Sequence, residues 1–206
     1  MIRYLKTLLM TVGFISVGVA CADDAAVAML KDVTTQMTTS LTQQQAAIKK
    51  DPNVIVGIVD KVIVPHVAVE DMATAVLARH WRTATPKQRQ EFTDAFERWA
   101  VLSYSAAFFH YTDQKIEFGK VIPIGNKGDR EQINTLINQT SGPKIAVNYR
   151  VMNKNGEWKV YDINVENVSL VNSFRSQVGP QISQKGLDKV IADINARNAK
   201  GLVAPK

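Results

Sequence analysis

Apolar residues recur at three- and four-residue intervals in the first half of the chain, then at every second residue, then again at three and four. The sequence therefore predicts helices, a block of strands, and helices again. Met29, Leu30, Val33, Met37 and Leu41 describe an amphipathic helix from Ala25, with room to continue to Lys50, where Asp51-Pro52 breaks it. Val54, Ile55, Ile58, Val59, Val62 and Ile63 mark a second, stopped by Pro65. A third opens at Glu70-Asp71, whose charges suit a positive helix start, and carries Met72, Ala73, Val76, Leu77 and Trp81. Thr85-Pro86-Lys87-Gln88 combines a threonine N-cap, proline at the first helical position and glutamine at the capping-box position. The long helix it opens carries Phe92, Phe96 and Trp99 on one face, so it should form a thick apolar wall; Tyr104, Phe108, Phe109 and Tyr111 follow.

Beyond Asp113 the period is two. Ile116, Phe118 and Val121-Ile122 form one run, Ile133, Thr135 and Ile137 a second, Ile145, Val147, Tyr149 and Val151 a third, and Tyr161, Ile163 and Val165 a fourth. Gly125 to Gly128, Ser141 to Pro143 and Asn153 to Gly156 separate them. Turns this short cannot join parallel neighbours, so the expected sheet is an antiparallel four-stranded meander. At the last turn a two-residue Asn155-Gly156 loop would bring Asp162 and Asn164 onto the face of Val147 and Tyr149, against the alternation. A three-residue loop, Lys154 to Gly156, or a bulge with the same effect, instead pairs Tyr149 with Tyr161 and Val147 with Ile163. Ser169 then caps a helix carrying Leu170, Val171, Phe174 and Val178 to about Lys185, with Gly179-Pro180 the place where a bend would fall. Gly186 ends it, and Leu187, Val190, Ile191 and Ile194 mark the last helix. The fold class is α+β.

The ends of the chain change the picture. Arg3 and Lys6 precede an apolar run from Thr7 to Val19, too short to span a bilayer, and Ala20-Cys21-Ala22 reads as a cleavage signal before Asp23. Residues 1–22 are thus expected to be a cleaved signal peptide, 23–198 a single domain, and 199–206 a flexible tail. Cys21 is the one cysteine, so the mature chain would hold no disulfide; a rival reading makes it a lipid-modified N-terminus, with Gly18 where such a signal wants a bulky aliphatic residue. The formal charge of +6 is scattered, without a basic run, which argues against nucleic acid and suits anionic headgroups or acidic partners.

Candidate chemistry is sparse. His66, His80 and His110 form no H-E-x-x-H pattern, and neither a G-x-S-x-G elbow nor a phosphate-binding glycine loop occurs. His110 with Asp113, or Asp162, could form an acid–base pair in a cavity, the basis of an alternative reading as a small-molecule enzyme with a cone-shaped pocket. The more ordinary reading leaves His110 at a helix end and Asp162 on the strand face opposite the apolar one.

An ordered set of segments resembles the MlaC, or toluene-tolerance, family: Val64-Pro65-His66, His80 to Thr85 with Gln88-Arg89 and Phe92, Tyr104, Trp158 to Asp162, Val168 to Val171, Phe174 to Gln177, and Lys185 to Asp188. Asn167 stands where a glycine is usual, Phe174 where tyrosine is common, Val178 where an aromatic is usual, and Ala68-Val69 where an acidic-aromatic pair is often seen. The resemblance implies a periplasmic carrier of phospholipid. It would travel between an outer-membrane lipoprotein–porin complex and an inner-membrane ABC transporter with a membrane-anchored substrate-binding ring, and maintain outer-membrane lipid asymmetry. It implies no cofactor. The helix from Pro86 facing the sheet suits a cavity for acyl chains, lined by Phe92, Phe96, Trp99, Ile116, Phe118, Ile133, Ile137, Ile145, Val147, Tyr149, Val151, Tyr161, Ile163 and Val165. A third alternative is a lipid-anchored assembly protein.

Overall fold

The computed structural model describes residues 22–110, 114–139 and 142–202. The expected leader through Cys21, the His110–Asp113 pair and the last four residues lie outside the residues and side chains so described. Helices α1 (Ala22–Gln43), α2 (Gln45–Lys50), α3 (Asn53–Val62), α4 (Val69–Leu77), α5 (Arg79–Thr83) and α6 (Pro86–Ser105) come first. Strands β1 (Lys115–Pro123), β2 (Arg130–Asn138), β3 (Ile145–Lys154), β4 (Glu157–Val165) and β5 (Val168–Ser169) follow, then α7 (Leu170–Lys185) and α8 (Leu187–Asn198). The strands form one antiparallel sheet in the order of the chain.

The helix of Glu70 to Trp81 is two helices rather than one, because Ala78 adopts φ 50°, a left-handed angle that costs an L-residue with a side chain. The break turns Trp81 onto the helical core, where it is held from α6: Arg89 Nε donates to the Trp81 carbonyl at 2.9 Å, and its guanidinium lies 5.4 Å over the indole. The start of α6 is the expected capping box. Thr85 Oγ1 accepts from the Gln88 N–H, and the Gln88 side chain accepts from the Thr85 N–H. Helix α7 runs unbroken across Pro180, and Gly186, at φ 81°, separates it from α8.

Three apolar clusters hold these elements. The largest joins α4, α6, α7 and α8 through Phe92, Phe96, Trp99, Phe174, Val178 and Val190. A second joins α1, α3 and the end of α6, and buries Leu202. The third puts α1 on the sheet, with Ala26 and Leu30 against Ile133, Val151, Trp158 and Val160. The tail expected to fray from residue 199 is therefore pinned as far as Leu202, whose N–H also reaches Asn53 Oδ1 at 3.3 Å.

The sheet differs from expectation at two turns. Asn155 (φ 56°) and Gly156 (φ 90°) make a two-residue loop that pairs Lys154 with Glu157 and Val151 with Val160. Tyr161 then bulges out of the ladder, so that Arg150 faces Asp162, Tyr149 faces Ile163 and Val147 faces Val165. Val147, Tyr149 and Ile163 share one face, as expected. Tyr161 does not join them: its ring turns to the opposite face, beneath the Arg130 guanidinium at 5.5 Å. The second difference is the fifth strand, two residues long, reached by a tight turn through Glu166 (φ 49°) and Asn167 (φ 66°). Asparagine is among the few residues other than glycine that accept φ above zero readily.

Asp162, 4% exposed, joins sheet to helix. Its carboxylate accepts from Ser169 Oγ at 2.7 Å and from the Val171 N–H at 3.2 Å, and it faces Arg150 at 3.6 Å. Ser169 Oγ in turn accepts from the Asn172 N–H, so the first turn of α7 has its free donors satisfied by one carboxylate and one hydroxyl.

Candidate functional site

Two apolar cavities adjoin under the inner face of the sheet. The first, about 190 Å³, lies between α1 and the sheet: Met29, Leu30, Val33 and Met37 face Ile116, Phe118, Tyr149, Val160 and Ile163. The second, about 180 Å³, lies between α6, α3 and the edge of β4, and is lined by Val59, Met72, Phe96, Ala100, Val101, Tyr104 and Leu170 among others. Ile63, Val67, Phe108, Val160 and Ile163 border both, so the two are lobes of one apolar space.

The helix facing the sheet across the first lobe is α1, not α6. Phe92 and Trp99 are committed elsewhere. Phe92 is fully buried and stacks on Phe96 at 6.1 Å; Trp99 meets Phe174 edge-on at 4.5 Å. The aromatic stripe of α6 is taken up by α7 and α8, and of the rings of this helix Phe96 and Tyr104 reach the second lobe. Ile116, Phe118, Tyr149 and Ile163 line the first lobe. Ile133 and Val151 are sealed under α1, Val147 is buried with Val165 beside it, and Ile137 and Ile145 pair next to Ile116 at the sheet's end. None of these six borders either lobe, and neither does Tyr161, on the outer face. The lining from α1, together with Ile63, Val67, Phe108 and Val160, escaped the sequence reading. The apolar stripe of α1 was visible; that it faced a sheet, rather than other helices, was not.

Polar groups are few along these walls. Thr34 and Thr38 of α1 donate their hydroxyl protons to the carbonyls of Leu30 (2.8 Å) and Thr34 (2.9 Å), four residues back. Burial pushes the Tyr149 phenol above the usual tyrosine pKa, so it stays protonated. Glu97 borders the second lobe; burial first, then the charges of Asp60 and Asp94, hold its carboxyl above the usual glutamate range. Burial likewise raises Tyr104. At the rim of the first lobe the Lys31 ammonium lies 5.5 Å over the Phe118 ring. Such walls can solvate hydrocarbon and orient it by a handful of polar contacts.

Fold and site together define a protein built of helices and one antiparallel sheet around a two-lobed apolar interior. The MlaC protein family model matches residues 31–196, and the chain belongs to that family. It is 25% identical, over 92% of its length and 90% of the other's, to the intermembrane phospholipid transport system binding protein MlaC of Haemophilus influenzae. It is also 25% identical to the toluene tolerance protein ttg2D of Pseudomonas putida, over 79% of this chain and 76% of that one. Among solved structures, the phospholipid-binding protein from Ralstonia solanacearum, in complex with a phospholipid, superposes with a TM-score of 0.76 at 23% identity. The match covers 85% of this chain and 97% of that one, and establishes the common fold.

Proposed function

We propose that this protein is a periplasmic phospholipid carrier. It takes lipid between an outer-membrane lipoprotein–porin complex and an inner-membrane ABC transporter with a membrane-anchored substrate-binding ring, and so maintains outer-membrane lipid asymmetry. The observation that carries this reading is the two-lobed space in which Val160 and Ile163 of β4 border both halves. Burying a methylene is worth roughly 0.8 kcal/mol, so an acyl chain of about fourteen gains on the order of 11 kcal/mol gross, enough to hold it out of water. Each lobe is smaller than the ~300–1,000 Å³ typical of ligand pockets, so the walls must yield as a tail enters. Met29, Met37 and Met72 are the flexible side chains suited to that. No catalytic residue is assigned, and family membership, with relatives named for phospholipid transport and binding, supports the substrate class.

The test is native mass spectrometry of protein purified without detergent from cells with intact membranes, beside an Ile163→Trp variant. The parent should carry the mass of phospholipid. Overpacking at Ile163 costs typically 1–3 kcal/mol, which a domain of ~5–15 kcal/mol survives, and the variant should be folded and empty. A folded variant with the parent's lipid load, or a parent with none, overturns the reading.

A further inference from the structure

Tyr149 stands on the middle strand of the sheet, flanked across the ladder by Ile133 on β2 and Ile163 on β4. Its ring lines the first lobe, opposite the apolar stripe of α1. Its hydroxyl has no hydrogen-bond partner among the described residues. Tyr149 is half-buried, and an unpaired phenol on an apolar wall has its donor open to whatever fills the lobe. The other hydroxyls of this lobe are already engaged, since Thr34 and Thr38 donate to carbonyls of their own helix. His66 lines the lobe too, half-buried on the short turn after α3. At the rim the Lys31 ammonium lies above Phe118, and it pairs with no carboxylate among the described residues. A ligand that fills this lobe and satisfies its walls is mostly hydrocarbon, brings an acceptor without a proton to the Tyr149 hydroxyl, and carries its anionic end toward Lys31.

We propose that the Tyr149 hydroxyl is the donor that recognises an acyl ester carbonyl of the bound lipid, so that the protein selects ester-linked over ether-linked chains. The inference rests on the lipid-carrier reading above, and it goes beyond it by naming the bond that is read. A dialkyl ether lipid fills the same volume and carries the same headgroup, but its chain attachment offers only a weak ether oxygen where the diester presents a carbonyl. The raised pKa of the phenol keeps it in the donating form at neutral pH.

The experiment uses the full mature chain, stripped of lipid and titrated with a diacyl phosphatidylglycerol and with its dialkyl ether counterpart of the same chain length. A neutral hydrogen bond that gains a partner favours the diester by about three- to tenfold. Tyr149→Phe removes one oxygen and should bring that ratio to about one, by weakening the diester while leaving the diether unchanged. The lipid-free Tyr149→Phe protein should melt no lower than the parent, because the hydroxyl it loses has no partner to lose. A ratio unchanged in Tyr149→Phe, or a parent that binds both lipids equally, overturns the proposal while leaving the carrier reading intact. A parent that binds neither lipid overturns both.

Discussion

Phe92 and Tyr149 are both large rings on the inner side of a secondary element, yet they meet opposite surroundings. Phe92 is sealed on every side by α4, α7 and α8, in a cluster whose rings stack or meet edge-on at 4.5 to 6.1 Å. Tyr149 borders open space, with α1 held off the sheet around it and closing only at Ala26 and Leu30. The helical half supplies stability through close packing, and the sheet half forgoes some of that packing to keep room. What separates them is not hydrophobicity, which is high in both. It is whether a facing element delivers side chains that interdigitate.

That contrast can be broken most severely from the helical side. Phe92→Ala should cost about 3–5 kcal/mol, since the site cannot collapse around the void, and urea denaturation should show a lower midpoint with an unchanged slope. The joint between the halves comes next. Asp162→Ala leaves the Ser169 hydroxyl and the Val171 N–H without their acceptor, and should cost about 3 kcal/mol; hydrogen exchange should show the first turn of α7 losing protection before the rest of that helix. If α7 frays no faster than in the parent, the carboxylate is not what holds it.

The smallest effect concerns Glu97, whose folded-state pKa is raised above its unfolded value. Such a group favours the fold while both states are protonated and loses that advantage as pH rises through the raised value, so at neutral pH it is a penalty. Glu97→Gln should therefore raise the melting temperature at pH 7 by about 1–2 °C, a modest shift because the side chain is partly solvated. The gain should fade as pH falls below the usual glutamate range. A gain that is the same at pH 4 and pH 7 would exclude this electrostatic origin.

Much of this was legible in the sequence wherever a local signal carried its own geometry. The capping box at Thr85, the Ser169 cap, Gly186 and the alternation of β1 to β3 each fix a neighbour a few residues away, and the structure has them. What was not legible depended on partners distant in sequence. The stripe of α6 was as compatible with a sheet as with helices, and only the positions of Phe174 and Val178 on α7 decide that it packs there. Ala78 gave no warning of its positive φ, because an alanine inside a helical pattern reads as helix. The Asn155-Gly156 pair reads locally as a two-residue turn, but the alternation argues against it, because the conflict it creates is resolved only five residues beyond Gly156 by an extra residue in β4.

That extra residue, Tyr161, acts as a phase shift in β4. Up to Val160 the strand keeps step with the tip of its hairpin; from Asp162 onward it keeps step with the floor of the cavity. Had the ladder run straight through, Asp162 would lie opposite Tyr149 and Asn164 opposite Val147, placing a carboxylate in the hydrocarbon space and an amide on the buried inner face beside it. A one-residue deletion at this point would thus do more than remove a ring: it would exchange the two faces of the strand end, moving the anchor of α7 indoors and the apolar floor out. Length, rather than chemical identity, is what natural variation at this position has to conserve, and substitutions at Tyr161 should be tolerated where deletions are not.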